Sequence, residues 1–127
     1  MKTVINTNGA PQAIGPYSQA IKANGFLFVS GQIPLDPVTG QIVSGGVEAQ
    51  TYQVLNNLKA ILVHEGLSFD NVVKASVFLK DLGDFETVNK VYGQYFASEP
   101  PARACVQVAK LPRDVSVEIE VIAVYGK

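Results

Sequence analysis

Apolar and polar positions divide the chain into eight elements. Residues 3–6 read as a short first strand, followed by NTNGAPQAIGP, a loop rich in turn formers. YSQAIKANGFLFVSGQ holds two runs of strand character around Asn24-Gly25. That dipeptide suits a type I′ hairpin turn, in which both central residues need positive φ. Pro34, Pro37 and Gly40 keep PLDPVTGQIVSGG out of a helix. From Val47 to His64, Thr51, Val54, Leu55, Leu58, Ile61 and Leu62 recur at helical spacing, and Gly66 is placed to end that helix. NVVKASVFLKD, β-branched and aromatic, reads as a strand. A second helix is expected from near Asp84, a good N-cap type, to about Phe96, with Phe85, Val88, Tyr92, Tyr95 and Phe96 as its apolar stripe.

Pro100-Pro101 interrupts the chain before a strand at 102–109, expected to be half-buried. Ala102, Ala104, Val106 and Val108 share one face; Arg103, Cys105, Gln107 and Ala109 share the other. After KLPRD comes the last strand, VSVEIEVIAVYG. The order is βββαβαββ, which predicts an α+β sandwich: a mixed, mostly antiparallel sheet with two helices on one face. Nothing in the sequence reads as a repeat, a low-complexity run or a linker, so residues 1–127 are expected to form a single domain.

Composition narrows the function. Charged residues make up only 17% of the 127 positions, below the usual ~25%, which suggests surface hidden in an oligomer. A net charge of -1 lacks the basic face a nucleic-acid footprint needs. One cysteine and one histidine permit neither an internal disulfide nor a Cys/His metal motif, and no phosphate loop or dinucleotide fingerprint is present, so no metal or cofactor is expected. MKTVINTNGAPQ lacks the apolar core of a signal peptide, and no run approaches the ~20 apolar residues of a membrane span. A soluble, cytoplasmic protein is the expectation.

Arg103 is the first candidate for chemistry. A guanidinium at a strand end either snorkels to water or grips an anion, and the small neighbours Ala102 and Ala104 leave room for the second. Glu118 and Glu120 share a face with Ser116, Ile122 and Val124, so that face is not a plain solvent face. Either both glutamates are wet, or one lines a polar pocket beside Arg103 and orients a water. Cys105 faces the same way as Arg103; it is either a small buried hydrophobe or a thiol made reactive by a cationic neighbour. His64 lies off its helix's apolar stripe beside Glu65 and reads as solvated, which leaves Cys105 without a base. Asn89 shares the apolar side of the second helix, where a buried amide needs partners. Ser30-Gly31 closes a strand with a residue that lets other groups approach the backbone, and Tyr17 follows a Gly15-Pro16 turn, as a packing anchor or a pocket lid.

Together IGPYSQA, VSGQIP, DLGDFETVNKVY and PARACVQVAKLPRDVSVEIEVIAV resemble the reactive intermediate deaminase family, the Rid or YjgF group, essentially end to end. The specific match falls on Pro101, Ala102, Arg103, Leu111, Glu118 and Ile119. The resemblance implies a chorismate mutase-like fold and a homotrimer with pockets between subunits. It implies hydrolysis of 2-iminopropanoate and 2-iminobutanoate, tautomers of enamines such as 2-aminoacrylate, to 2-keto acids and ammonia. Pyridoxal-phosphate enzymes would supply these imines. Arg103 would then hold the substrate carboxylate and Glu118, rather than Glu120, would position the water. Tyr17, Ser30, Gly31, Asn89 and Cys105 would line the pocket. Other activities attributed to the family give the alternatives: a 2-keto acid-binding sensor, or a ribonuclease and translation inhibitor.

Overall fold

The computed structural model describes residues 1–126; Lys127, the last residue of the expected domain, lies outside them. The elements are β1 (Thr3–Ile5), β2 (Ala20–Ala23), β3 (Phe26–Gln32), α1 (Gly46–His64), β4 (Val72–Leu79), α2 (Phe85–Tyr95), β5 (Ala102–Gln107) and β6 (Val117–Val124), in the order expected. Asn24 and Gly25 have φ of 53° and 80°, as the type I′ turn between β2 and β3 requires. Gly66 ends α1: its amide and that of Leu67 reach back to the carbonyls of Val63 and Leu62, a Schellman closure made possible by φ of 73° at the glycine.

Six strands form one mixed sheet in the order β1-β2-β3-β6-β4-β5, in which only β4 and β5 are parallel neighbours. β6 enters last in sequence between β3 and β4 and pairs antiparallel with both. The crossovers through α1 and α2 advance in the same direction along the sheet. Right-handed connections of that kind put both helices on one face.

The core lies between that face and the helices. Leu27 and Val29 of β3, Ala75, Val77 and Leu79 of β4, and Val117, Ile119, Val121 and Ala123 of β6 are buried against Val54, Leu55, Leu58, Ile61 and Leu62 of α1 and Val88, Val91 and Tyr92 of α2. The other face has no cover among the described residues. Phe26 and Phe28 remain 39% and 43% exposed there, with Val106 at 46%. Among the described residues no helix is long and apolar enough to cross a membrane.

Two expectations need correction. The strand at 102–109 ends at Gln107, and it is an edge strand, exposed along most of its length, because only β4 pairs with it. Asp84 precedes α2 without a side-chain cap. Asp81 caps instead, accepting from the Gly83 amide at 2.8 Å in a 3-10 turn that leads into the helix.

Candidate active site

The first half of the site forms where β5 runs beside α2. The Arg103 guanidinium lies over the Tyr92 ring, 4.7 Å from Cζ to the centroid, with the Phe85 centroid at 5.5 Å. Nη1 donates to Oδ1 of Asn89 at 2.8 Å. Phe85, Asn89 and Tyr92 stand at helical spacings of four and three, so one side of α2 supplies all three contacts. Asn89 is exposed rather than buried, since Val88, Val91 and Tyr92 take the core-facing positions and turn it toward the edge strand. The ion pairs among the described residues, His64–Glu65 and Lys80–Asp114, do not include Arg103. Its charge therefore stands uncompensated over a cavity of about 440 Å³ lined by Asn89, Tyr92, Gly93, Phe96, Pro100 and Pro101.

The second half lies on the uncovered face. Pairing between β3 and β6 is irregular from Val29 to Gln32, and Ser30-Gly31 falls in that stretch. The Glu118 carboxylate rests against Gly31 so closely that a β-carbon there would overlap its Oε2. Tyr17, Ser30, Gly31, Glu118 and Glu120 line a cleft of about 510 Å³ with Ile14, Ile33 and Pro112. Partial burial raises the Glu118 pKa above the usual carboxylate value, and repulsion from Glu120 raises it further. The Ser30 hydroxyl donates to the Ser18 carbonyl at 2.5 Å, so toward a ligand it can only accept. Tyr17 is 54% exposed at the rim, and so is not a packing anchor. The loop that carries it is pinned by Gln19, which is buried, accepts from the Thr7 amide at 2.7 Å and donates to the carbonyls of Thr7 and Pro11.

The two halves do not meet within the chain. Arg103 is in register with Ala75, whose side chain enters the core; Glu118 is in register with Phe78, on the uncovered face. Arg103 and Asn89 thus share one cavity, and Tyr17, Ser30, Gly31 and Glu118 share another. The expectation that a glutamate sits beside Arg103 is not met inside one subunit. Cys105 lines neither cavity; it is partly buried against the core, and burial raises its pKa more than Arg103 lowers it. Its thiol is therefore not activated. His64 is exposed at the end of α1 and contacts Glu65 at 3.2 Å.

Sequence reasoning assigned Phe85 and Tyr92 to packing alone and passed over Ile14, Ile33 and Gln19. The available signal was the Phe85–Asn89–Tyr92 spacing, which puts two rings beside the amide. Among the described residues no three His, Cys, Asp or Glu side chains gather where they could hold a metal ion. What the arrangement offers is an anion-binding guanidinium and a carboxylate held in partly desolvated surroundings, where it can accept a proton from water.

Comparison with known proteins places this geometry among relatives. The family model described as endoribonuclease L-PSP matches residues 7–125. The RutC family protein PH0854 of Pyrococcus horikoshii is 57% identical over 97% of this chain and 98% of its own. The human 2-iminobutanoate/2-iminopropanoate deaminase is 51% identical over 99% of this chain and 92% of its own. The crystal structure of E. coli TdcF with bound serine superposes with a TM-score of 0.93 at 48% identity, covering 98% of this chain and 99% of that one.

Proposed function

This chain belongs to the endoribonuclease L-PSP family, the Rid/YjgF group, and on that footing we propose that it is a hydrolytic deaminase of small 2-imino acids such as 2-iminopropanoate and 2-iminobutanoate. The observation that carries the reading is the unpaired Arg103 guanidinium, held by a neutral amide and two aromatic rings. A charge left free of carboxylates is suited to a carboxylate brought by a ligand. The serine bound by the TdcF relative is itself a small 2-amino carboxylic acid. The deaminases named among the relatives act on acids of similar size.

In this reading Residues 1–127 act as one unit, and the working form is a homotrimer. Two observations support assembly: the uncovered sheet face exposes Phe26, Phe28 and Val106, and the half-sites lie on opposite faces of the sheet. Arg103 on the edge of one subunit and Glu118 on the open face of the next can then face a shared pocket, with the substrate between them. Arg103 fixes the substrate carboxylate, which orients the C=N carbon. Glu118 takes a proton from water as the water oxygen bonds to that carbon, and passes it to the imine nitrogen. The resulting carbinolamine gives its hydroxyl proton through Glu118 to the nitrogen, and a C=O bond re-forms as the C–N bond breaks, releasing ammonia and a 2-keto acid. The imine carbon is already electrophilic, so a sparse site suffices. The protein would work in the cytoplasm on imines released by pyridoxal-phosphate enzymes.

The test supplies 2-iminobutanoate from a threonine dehydratase and follows 2-oxobutanoate release. Removing a desolvated arginine from its carboxylate partner costs ~2–5 kcal/mol, so Arg103→Ala is expected to lose most of the rate. A wild-type rate from Arg103→Ala would overturn the reading. Binding of 2-oxobutanoate with no acceleration over buffer would favour a keto-acid sensor instead.

A further inference from the structure

We propose that Phe85 and Tyr92 are positioning residues of the site: they clamp the Arg103 guanidinium and fix the plane in which it offers its N–H groups. The proposal rests on the reading of Arg103 as the carboxylate-binding group. Neither ring was assigned more than packing by the sequence pattern, and their contacts with the arginine are the observation that changes this.

Arg103 starts from an exposed edge strand, where a long side chain ordinarily samples many rotamers in water. Here it is held at three points by one side of α2. Asn89 takes one N–H through a neutral acceptor and leaves the positive charge intact. The rings attract the cation through their faces, so they do not compete for the hydrogen bonds that lie in the guanidinium plane. An acidic residue in place of either ring would hold the arginine as firmly but would occupy the charge a ligand needs.

The platform is rigid on the Tyr92 side. Tyr92 is only 5% exposed and stacks on Phe96 with centroids 4.3 Å apart, and Phe96 meets Phe69 edge-on at 4.8 Å. The Tyr92 hydroxyl is buried and finds no hydrogen-bond partner among the described residues. A tyrosine whose oxygen is unused contributes its ring, so phenylalanine should serve equally. Phe85 is 36% exposed, more than a core residue should be, and the arginine gives that ring a use.

Three variants of the full chain decide the matter: Phe85→Leu, Tyr92→Leu and the conservative Tyr92→Phe. A proton held over an aromatic face is shifted upfield by the ring current. The Arg103 side-chain N–H resonances, assigned by their loss in Arg103→Ala, are expected upfield in the wild type and in Tyr92→Phe. Each leucine variant should move them toward the free-arginine position. Calorimetric binding of 2-oxobutanoate should weaken about five- to thirty-fold in Tyr92→Leu and stay within about twofold in Tyr92→Phe. In the imine assay KM should rise with kcat nearly unchanged, because a clamp that orients the arginine serves ground state and transition state alike. Leucine variants that keep the wild-type resonance and affinity overturn the proposal. If Tyr92→Leu does not fold, Phe85→Leu at the surface carries the same test. If the wild type neither binds 2-oxobutanoate nor hydrolyses imine, the functional reading fails. The clamp is then decided by the Arg103 resonances alone: unmoved in the leucine variants, they overturn it; moved there and kept in Tyr92→Phe, they support it.

Discussion

The Arg103 guanidinium and the Glu118 carboxylate leave the same sheet on opposite faces, although β4 pairs with the strands of both. A site that needs the two groups together must draw them from different subunits. Inactive Arg103→Ala and Glu118→Ala proteins should therefore restore one another when unfolded together and reassembled. Random mixing in a cyclic trimer gives about a quarter of sites with both groups intact, so about a quarter of wild-type activity should return. A mixture as inactive as its components would show that each subunit carries a complete site.

Gly31 gives a second prediction. Its backbone φ is ordinary, so alanine is conformationally acceptable, yet the new methyl would occupy the space of Glu118 Oε2. The glutamate side chain can swing away more easily than the strand can move. Gly31→Ala is expected to unfold within a few degrees of the wild type while losing tenfold or more of its rate, which is ~1.4 kcal/mol or more in the barrier. Full activity in that variant would remove Glu118 from the mechanism.

The two glutamates give a pH dependence. Burial, then Glu120, raise the Glu118 pKa within the chain, and a guanidinium from a neighbouring subunit would pull it back. As a base Glu118 must be ionised, so activity should rise with pH through its titration. Glu120→Gln removes the like charge and should move that acidic limb to lower pH than in the wild type. Stability follows the opposite course. A folded-state pKa above the unfolded value favours the folded chain below the unfolded pKa, and the advantage is lost as pH rises through the folded value. Where burial and Glu120 outweigh that guanidinium, Glu118→Gln should thus raise Tm at neutral pH, with the gain vanishing in acid. An acidic limb unmoved by Glu120→Gln would mean another group governs it.

Local signals made most of the fold legible. Asn24-Gly25 and Gly66 need positive φ and took it, and the stripe of α1 is buried where its spacing put it. The relation between Arg103 and Glu118 was not legible, because it depends on β6 entering between β3 and β4, a pairing distant in sequence that no loop length specifies. Asn89 was misjudged for a related reason. Periodicity gives a helix face but not its neighbour, and the side holding Phe85, Asn89 and Tyr92 meets an edge strand bearing an arginine as well as the core. Cys105 shares the alternation of Arg103 but not its surroundings, since one packs inward while the other reaches α2.

Asn57 supplies the last prediction. It lies inside the α1 repeat, is fully buried between positions read as apolar, and was not singled out by periodicity. Its Nδ2 donates to the carbonyls of Ile33 and Leu35 at 3.3 and 3.0 Å, and its Oδ1 accepts from Gln53 at 2.8 Å. Pro34 lies between those two carbonyls and has no N–H to offer, so the side chain of Asn57 ties the segment after β3 to the helix. Asn57→Leu keeps the branched shape, adds bulk, and leaves the carbonyls without that donor, at a cost of ~1–3 kcal/mol. The urea midpoint should fall with the slope unchanged, since the folded core stays as compact. Ile33 also lines the Glu118 cleft, so the rate should fall even at temperatures where the variant is fully folded. Asn57→Asp should be worse at neutral pH, where a carboxylate faces two carbonyls with no proton to share, and should recover partly in acid as the carboxyl becomes a donor. A midpoint unmoved in both variants would mean that the segment is held by its other contacts, among them the Leu35–Ile42 bridge, and that Asn57 plays no part in shaping the cleft.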